Sequence, residues 1–302
     1  MTVVVLAGGT GGARLARGML DVVGPDQLVV VANTGDDIEI YGAHVSPDPD
    51  LVAFWLADLI DERGWGLEGD TFAVMDGLRA LGIDVWFNLG DRDLALGIER
   101  ARLLAAGAGL VDAHADLMAR LEVPGRVLPM SEAPVRTHVR AAGRWWALQE
   151  FLIANRGQGP IEDVRFDGVD HAAPAEAVLD ALDSAEAIVL GPSNPIISIG
   201  PILAMPGMHE ALRSAPGRVV AVSPVVGGAI LKGPTAACLE WAGVPCSAAG
   251  VARVYEGVID GIVADERVDG LSALRTDTLM ADAAGRRRVA DETLAFARAL
   301  AA

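Results

Sequence analysis

The chain opens with an apolar, β-branched run that leads directly into a glycine-rich turn. Residues 3–7 have the composition of a buried strand, four of the next five residues are glycine, and residues 12–22 have the spacing of an amphipathic helix. A strand, a tight turn and a helix in this order form the first half of a βαβ unit. This start favours a parallel sheet with helices packed on its faces over an all-α or all-β fold.

The alternation of apolar runs and helical patterns continues along the chain. Further strands are predicted at 28–32, 187–190 and 219–222, and helices at 51–60, 71–81, 94–106, 112–121 and 291–302. Residues 126–169 have mixed polarity and less helical pattern, which predicts an antiparallel or irregular insertion. We expect one Rossmann-like, doubly wound, mainly parallel α/β domain over 1–302, with the wound sheet in 1–125 and 170–302 and the mixed insertion at 126–169.

Composition restricts the function classes. Hydrophobic residues make up 52% of the chain, so a folded core is expected rather than disorder. A net charge of −17 argues against nucleic acid as a partner. The N-terminus lacks a basic segment and a cleavage site, and no apolar run is long enough to span a bilayer. We therefore expect a cytoplasmic protein without a membrane segment.

The glycine-rich turn at Gly9, Thr10, Gly11 and Gly12 is a candidate binding site for a nucleotide or another anion. Glycines allow close approach of a ligand, and a helix N-terminus presents unpaired N–H groups. The turn lacks the Lys-Ser/Thr pair of a Walker A loop, and Arg14 stands where a dinucleotide fingerprint has its third glycine. The alternative is a tight turn that binds nothing.

Four carboxylates follow the second predicted strand, at Asp36, Asp37, Asp48 and Asp50. They fall where a doubly wound sheet binds its ligands, beyond the carboxyl ends of its strands. Carboxylate oxygens suit Mg²⁺ beside a phosphate. The prolines around Asp48 predict an extended backbone there, and Asp50 is expected to cap the next helix. The alternative is that these residues only cap turns and helices.

Two more turns carry candidate binding residues. The first is Asp91-Arg92-Asp93, which follows a predicted apolar strand end at Trp86-Phe87. Its two carboxylates are predicted to hold the guanidinium for bidentate recognition of a phosphate or carboxylate. The alternative is a self-contained surface ion cluster. Prolines flank Ser193-Asn194 after a predicted strand, which suits a nucleobase, ribose or phosphate contact, or else a purely structural turn.

Taken together, these motifs resemble the 2-phospho-L-lactate transferase (CofD/FbiA) family of coenzyme F-420 biosynthesis. The matching segments occur in the family's order, at 7–12, 33–37, 46–50, 63–66, 70–72, 89–95, 128–131, 191–201, 223–227 and 277–280. One departure is Leu96-Gly97, where many members have Thr-His. The resemblance implies a Rossmann-like fold, a homodimer and a Mg²⁺-dependent transfer.

The resemblance also implies substrates and roles. The acceptor would be Fo (7,8-didemethyl-8-hydroxy-5-deazariboflavin), whose ribityl hydroxyl attacks the phosphorus of a guanosine diphosphate-linked three-carbon acid and releases GMP. That acid would be 2-phospholactate or its phosphoenolpyruvate or phosphoglycerate equivalent, and the sequence does not distinguish them. The roles implied by matching positions are catalysis by Asp48 and Asp50, Fo binding by Asp50, Arg92 and Asp91, metal binding by Asp36, Asp37 and Asp48, and nucleotide binding by Gly9, Thr10, Gly11, Gly12, Ser193 and Asn194.

Two other functions compete with this interpretation. An NAD-dependent oxidoreductase would use Asp36 or Asp37 on a ribose, but the missing third glycine argues against it. A nonenzymatic, YvcK-like regulator that binds UDP-sugars shares the glycine-rich start. Binding of NADH or of a UDP-sugar would separate these alternatives from the transferase.

Overall fold

In the computed structural model, which describes residues 2–231 and 233–301, strands and helices alternate along most of the chain. The strands are β1 (Thr2–Ala7), β2 (Leu28–Ala32), β3 (Ile38–Ile40), β4 (Ala43–Val45), β5 (Arg126–Pro129), β6 (Arg136–Ala141), β7 (Arg144–Ala147), β8 (Ile161–Asp167), β9 (Ala185–Leu190), β10 (Arg218–Val222), β11 (Val225–Val226), β12 (Ala229–Ile230), β13 (Gly261–Ala264) and β14 (Ser272–Arg275). The helices are α1 (Gly9–Val23), α2 (Pro47–Leu56), α3 (Ala73–Ala80), α4 (Asp91–Ala105), α5 (Leu110–Arg120), α6 (Leu148–Ile153), α7 (Glu176–Asp183), α8 (Gly200–Ala204), α9 (Met208–Ser214), α10 (Thr235–Trp241), α11 (Ala248–Val254) and α12 (Ala283–Ala301).

The central sheet has seven parallel strands in the order β14-β13-β10-β9-β1-β2-β5. From β1 the chain adds strands outward through β2 to β5, and it then returns to the other side of β1 with β9. The order therefore reverses between β1 and β9. In doubly wound sheets, ligands bind at such a reversal, beyond the carboxyl ends of the strands. The confirmed Rossmann-like α/β fold thus indicates where a site should lie.

Both faces of the sheet are covered because its strands are apolar on both sides. In β1, Val4 and Leu6 pack into one buried layer, while Val3, Val5 and Ala7 pack into the other. Side chains of α7, α8, α9 and α11 cover the first layer, and α1, α2 and α12 cover the second. The alternation follows from the two-residue period of a strand.

The structure corrects several predicted boundaries. The helices predicted to start at residues 12, 51, 94 and 291 start at Gly9, Pro47, Asp91 and Ala283. Polar or glycine-containing first turns, which periodicity does not detect, account for these differences. The apolar pair Trp86-Phe87 is not a strand end; the two rings stack with centroids 5.5 Å apart in an irregular segment.

The middle of the chain contains the mixed insertion that was predicted, although it starts later. Residues Arg126–Pro129 form β5, which pairs with β2 as the edge of the main sheet. The antiparallel strands β7, β6 and β8 then form a separate three-stranded sheet. Among the described residues, no helix has the length and apolar character needed to cross a membrane. The division of the chain into domains stays a prediction.

Candidate functional site

Two turns meet at the reversal of strand order, one after β1 and one after β9. The backbone N–H of Gly8 donates to Ser193 Oγ at 3.2 Å, and the N–H of Gly191 donates to the Leu6 carbonyl at 2.9 Å. A Cβ on Gly11 would lie 2.0 Å from the Pro192 carbonyl oxygen. The turns can therefore approach this closely only because glycine stands at that position.

The remaining residues of these turns differ in what they offer a ligand. Gly9 has φ +64°, and the space beside it is open. Thr10 follows it in the first turn of α1. Like Gly11, Gly12 packs closely, because a Cβ there would lie 2.6 Å from Ser193 Oγ. The N-terminal N–H groups of α1 thus face the same rim as the end of β1.

Asn194 is occupied by contacts within its own loop. Its side-chain oxygen accepts hydrogen bonds from the backbone N–H groups of Ile196 and Ile197, at 2.9 and 3.2 Å. Its side-chain nitrogen donates to Thr235 Oγ1 and lies 3.2 Å from Cys238 Sγ. Asn194 therefore shapes the turn, and only its backbone is left to contact a ligand.

Asp48 joins the turn after β1 to the turn after β2. Its Oδ1 accepts a hydrogen bond from the Gly9 backbone N–H, and its Oδ2 accepts one from Asn33 Nδ2 at 3.0 Å. Asn33 is itself fixed, because its side-chain oxygen accepts from the Gly35 N–H at 2.8 Å. These contacts hold the Asp48 carboxylate at the N-terminus of α1.

Asp36 and Asp37 lie beside Asp48 but differ in their hydrogen bonds. Asp37 Oδ1 accepts from Ser46 Oγ at 2.7 Å, and its Oδ2 lies 3.1 Å from His44 Nε2. Asp36 Oδ2 accepts from Gln149 Nε2 at 2.8 Å. The other oxygen of Asp36, Oδ1, is buried without a hydrogen-bond partner.

Burial and like charges raise the pKa of two of these carboxylates. Burial raises the pKa of Asp36 well above its usual range, and the charges of Asp48 and Asp37 raise it further. Burial also raises the pKa of Asp48 to about 6, against the hydrogen bonds from Asn33 and Gly9. A bound cation would remove this penalty and would supply the partner that Asp36 Oδ1 lacks.

The donor set fits a magnesium ion that is shared with a ligand. Among residues 2–231 and 233–301, no three His, Cys, Asp or Glu side chains are arranged to hold a metal ion by themselves. Mg²⁺ usually takes one or two carboxylates and completes its octahedron with water and substrate phosphates. The unpartnered oxygen of Asp36 and the neighbouring Asp37 and Asp48 could supply those carboxylates.

Asp50 is not the expected helix cap. It lies inside α2, and Ser46 occupies the N-cap position. The predicted extended backbone around Asp48 is also wrong, because Pro47 and Pro49 fit the first turn of a helix, where N–H groups have no intrahelical acceptor.

The Asp50 carboxylate forms a buried ion pair that the sequence did not reveal. Both of its oxygens accept from the guanidinium of Arg100, at 2.5 and 3.0 Å. Arg100 is fully buried and also donates to the His44 carbonyl at 3.0 Å. Burial raises the pKa of Asp50, and Arg100 opposes this shift. Arg100 shares the buried stripe of α4 with Leu94 and Gly97, and that spacing is the only sequence signal for it.

The Asp91-Arg92-Asp93 turn lies on the same side of the molecule, but its charges pair differently from the prediction. Asp91 accepts hydrogen bonds from Thr71 Oγ1 and from two backbone N–H groups at the start of α3. The Arg92 guanidinium is exposed, and its Nη1 donates to the Glu68 carbonyl at 3.0 Å. The prediction that the flanking aspartates hold this guanidinium is therefore wrong.

Asp93 connects this turn to Asp50. Burial raises the pKa of Asp93 to about 7, and the nearby charges of Asp50 and Asp70 contribute. The Asp70 side chain accepts the backbone N–H groups of Arg92 and Asp93, at 2.9 and 3.2 Å, and so caps α4. The turn after β2 and the turn before α4 are thus neighbours at one rim.

A cavity of about 200 Å³ adjoins the carboxylates and gives a ligand room beside them. Asp36, Asp37, Gln149, Thr137 and Arg136 contribute to its lining. Like Asp36 Oδ1, the hydroxyl of Thr137 is buried without a hydrogen-bond partner. Gln149 and Arg136 come from the insertion, so the insertion completes one wall of the site.

A glycine-rich turn and a helix N-terminus at a switch point are typical of doubly wound α/β proteins that bind phosphorylated small molecules. A family model described as 2-phospho-L-lactate transferase CofD matches residues 3–291. The chain therefore belongs to the 2-phospho-L-lactate transferase CofD family, and it is a transferase of coenzyme F-420 biosynthesis.

Similar proteins carry two different names. The 2-phospho-L-lactate transferase of Methanosarcina mazei is 38% identical over 298 residues, which cover 95% of this chain and 98% of the relative. The phosphoenolpyruvate transferase of Thermobifida fusca is 42% identical over 281 residues, covering 88% and 87%. That of Streptomyces griseus is 43% identical over 272 residues, covering 88% and 86%.

A solved structure supports the fold. A UPF0052-family protein from Bacillus halodurans superposes with a TM-score of 0.65 and covers 97% of this chain and 98% of its own. The two chains are only 17% identical, so this similarity concerns the fold alone.

Proposed function

We propose that this protein transfers a phosphorylated three-carbon acid from a guanosine diphosphate-linked donor to the ribityl hydroxyl of Fo, and that GMP leaves. The observation that carries the proposal is the buried group of Asp36, Asp37 and Asp48 beside the N-terminus of α1, with Asp36 Oδ1 unpartnered. Membership of the family supplies the reaction class.

The nucleotide end of the donor belongs at the two switch-point turns. The N–H groups at the start of α1, from Gly9 to Gly12, face negative charge favourably because of the helix dipole. Ser193, which accepts a hydrogen bond from the Gly8 N–H, and the backbone of Asn194 would contact the nucleotide from the turn after β9. Gly11 and Gly12 act indirectly, by letting the two turns meet.

One or two carboxylates of the group Asp36, Asp37 and Asp48 would hold Mg²⁺, which would supply positive charge against the phosphates of the donor. The chain's own contribution is position. Gln149 orients Asp36, and Ser46 orients Asp37. The Gly9 N–H and Asn33 orient Asp48. A fixed carboxylate geometry suits a reaction that depends on in-line placement more than on a covalent nucleophile.

The acceptor belongs between α2 and the start of α4. Arg92 is exposed and can donate further hydrogen bonds to Fo, while Asp91 fixes the segment beside it. The ribityl oxygen forms a bond to the donor phosphorus, the phosphorus–oxygen bond to GMP breaks, and the hydroxyl proton passes to a carboxylate. Asp50 and Asp48 are the candidates for that proton, and the Arg100 ion pair keeps Asp50 in place.

The donor acid is the least defined part of the proposal. Related proteins are named for 2-phospho-L-lactate and for phosphoenolpyruvate transfer. The test is therefore an incubation of the protein with Fo, Mg²⁺ and each guanylyl donor in turn (phospholactate, phosphoenolpyruvate, phosphoglycerate), followed by mass analysis. We expect one donor to give a product heavier than Fo by its phospho-acid minus one water, with one GMP released per product.

Matched variants connect the reaction to the site. Asp36→Asn should abolish transfer, whereas Asp180→Asn should not, because Asp180 is exposed on α7 beside Ser184, at the amino end of the central strands and away from the switch-point turns. Tight binding of NADH or of a UDP-sugar without product from any donor would replace the proposal by one of the alternatives. A homodimer and a cytoplasmic location stay predictions that light scattering and fractionation would check.

A further inference from the structure

Two arginines from different helices contact the same tryptophan. The Cζ atoms of Arg14 on α1 and Arg286 on α12 lie 5.3 and 5.1 Å from the ring centroid of Trp55 on α2. Burial lowers the pKa of Arg14, and the charge of Arg286 lowers it further, so the two guanidiniums repel each other. The π face of Trp55 attracts each cation but satisfies none of its N–H groups in the plane of the guanidinium.

These side chains lack the partners that buried donors normally have. Arg14 Nε, Arg286 Nε and the indole Nε1 of Trp55 are all buried without a hydrogen-bond partner. Within 2–231 and 233–301, neither guanidinium forms an ion pair with a carboxylate. The nearby Asp58 is bound by both Nε and Nη2 of Arg17, at 2.9 Å each. The charge of Arg286 also acts on Asp58, but the Asp58 oxygens accept from Arg17, so the two half-buried guanidiniums keep N–H groups that can bind an external anion.

The pair lies close to the glycine-rich turn. Arg14 comes one helical turn after Thr10, and side chains on a helix lean toward its N-terminus. A Cβ built on Gly64 would lie 3.6 Å from Arg14 Nη2 and 3.9 Å from Thr10 Cγ2. The guanidinium therefore reaches the level of the turn that the proposed function assigns to the donor nucleotide.

We propose that Arg14, Arg286 and the indole N–H of Trp55 form a binding site for a phosphate group. Guanidinium groups bind phosphate through paired N–H donors, and an anion between the two arginines would relieve their repulsion. The phosphate can come from the diphosphate of the guanylyl donor or from a free phosphate compound. The first source rests on the proposed function, whereas the site itself does not.

Isothermal titration with pyrophosphate, in metal-free buffer, tests the site. Losing one charge-assisted pair of hydrogen bonds should weaken binding about tenfold or more in Arg14→Gln and in Arg286→Gln. Arg287→Gln is the matched control, because it removes the same charge from the next, exposed position of α12 and should bind as the wild type does. Equal affinity in all four proteins, or no binding by the wild type, would overturn the site.

The source of the phosphate is decided by a second titration with GDP and with guanosine. If the donor's diphosphate fills the site, the two glutamine variants lose affinity for GDP but not for guanosine, and pyrophosphate competes with GDP. If a free phosphate compound fills it, GDP affinity is unchanged and pyrophosphate does not compete. Both results support the phosphate site.

Two further measurements separate this inference from the proposed function and from misfolding. Because each substitution removes a like-charged neighbour, the unfolding temperature of the ligand-free variants should equal or exceed that of the wild type. Pyrophosphate binding that depends on the two arginines, in a protein that transfers nothing to Fo, would refute the proposed function and leave the site intact. Normal transfer together with unchanged pyrophosphate affinity in both variants would refute the site alone.

Discussion

The buried ion pair between Asp50 and Arg100 makes the sharpest stability prediction. Arg100→Met keeps most of the side-chain volume but leaves the Asp50 carboxylate buried without its cation, next to the acidic Asp93. Removing one partner of a buried pair costs about 3–5 kcal/mol in the free energy of unfolding. Arg100 is 0% exposed, so water cannot replace the lost contacts, and we expect the full cost at pH 8.

The predicted cost depends on pH in a defined direction. Without Arg100, the folded-state pKa of Asp50 rises further above its unfolded value, so protonation relieves the buried charge. The destabilisation of Arg100→Met should therefore be smaller at pH 5.5 than at pH 8.

Urea unfolding, followed by tryptophan fluorescence, measures this effect. Arg102→Met is the control on the same helix: Arg102 pairs with Glu99 at 2.7 Å but its side chain is 62% exposed, so the change should stay within about 0.5 kcal/mol. The double variant Arg100→Met with Asp50→Asn removes both charges and should recover most of the loss. A cost for Arg100→Met no larger than that of Arg102→Met, or no recovery in the double variant, would show that the pair does not carry this energy.

Three further predictions concern the proposed site. Because the pKa of Asp48 is raised to about 6, Mg²⁺ affinity should increase as the pH rises through 6, which titration calorimetry measures. The stability that Asp48 contributes to the metal-free protein should fall from about pH 4 to pH 6, which unfolding at several pH values measures. An affinity and a stability that do not change with pH would contradict the raised pKa. Gly11→Ala places a Cβ 2.0 Å from a backbone carbonyl oxygen, so the KM for the donor should rise and the free energy of unfolding should fall by about 1–3 kcal/mol. Gly77→Ala is the control, because the space around Gly77 is open and the substitution should be neutral or slightly stabilising. Arg92→Lys exchanges a planar guanidinium with paired N–H donors for a point charge, so the KM for Fo should rise about tenfold in steady-state kinetics. Arg126→Lys, at the exposed first residue of β5, is the control, and an equal effect of both substitutions would argue against a direct contact between Arg92 and Fo.

The acidic segment after β2 shows how far local sequence reasoning reaches. Asp48 was identified from its position after a predicted strand, and the structure places it against the glycine-rich turn. The extended backbone predicted around Asp48 is wrong, however. Pro47 and Pro49 favour an extended backbone in an isolated peptide, but they also fit the first turn of a helix. Packing of α2 against α1 and the sheet decides between the two conformations.

The Asp91-Arg92-Asp93 turn shows that local sequence does not predict which charged residues pair. Three adjacent charged residues suggest that they pair with one another, and sequence offers no better partner. In the structure, Asp91 caps α3, and Asp70 caps α4 from 22 positions away from Arg92. Orphan N–H groups at helix starts compete for these carboxylates, and their positions depend on how the two helices pack.

The sequence by itself determined the features that depend on a few neighbouring residues. These are the alternation of strands and helices, the glycine-rich turn, and the acidic character of the loops at the strand ends. Those features, and the order of the motifs, were enough to identify the fold and the family. Only the tertiary structure decided that Asp50 pairs with Arg100, that Gln149 holds Asp36, and that Arg14 and Arg286 share Trp55. Such partners lie from 41 to more than 200 positions apart, and they meet because the pairing of the strands and the packing of the helices on the sheet fix positions that no local preference specifies.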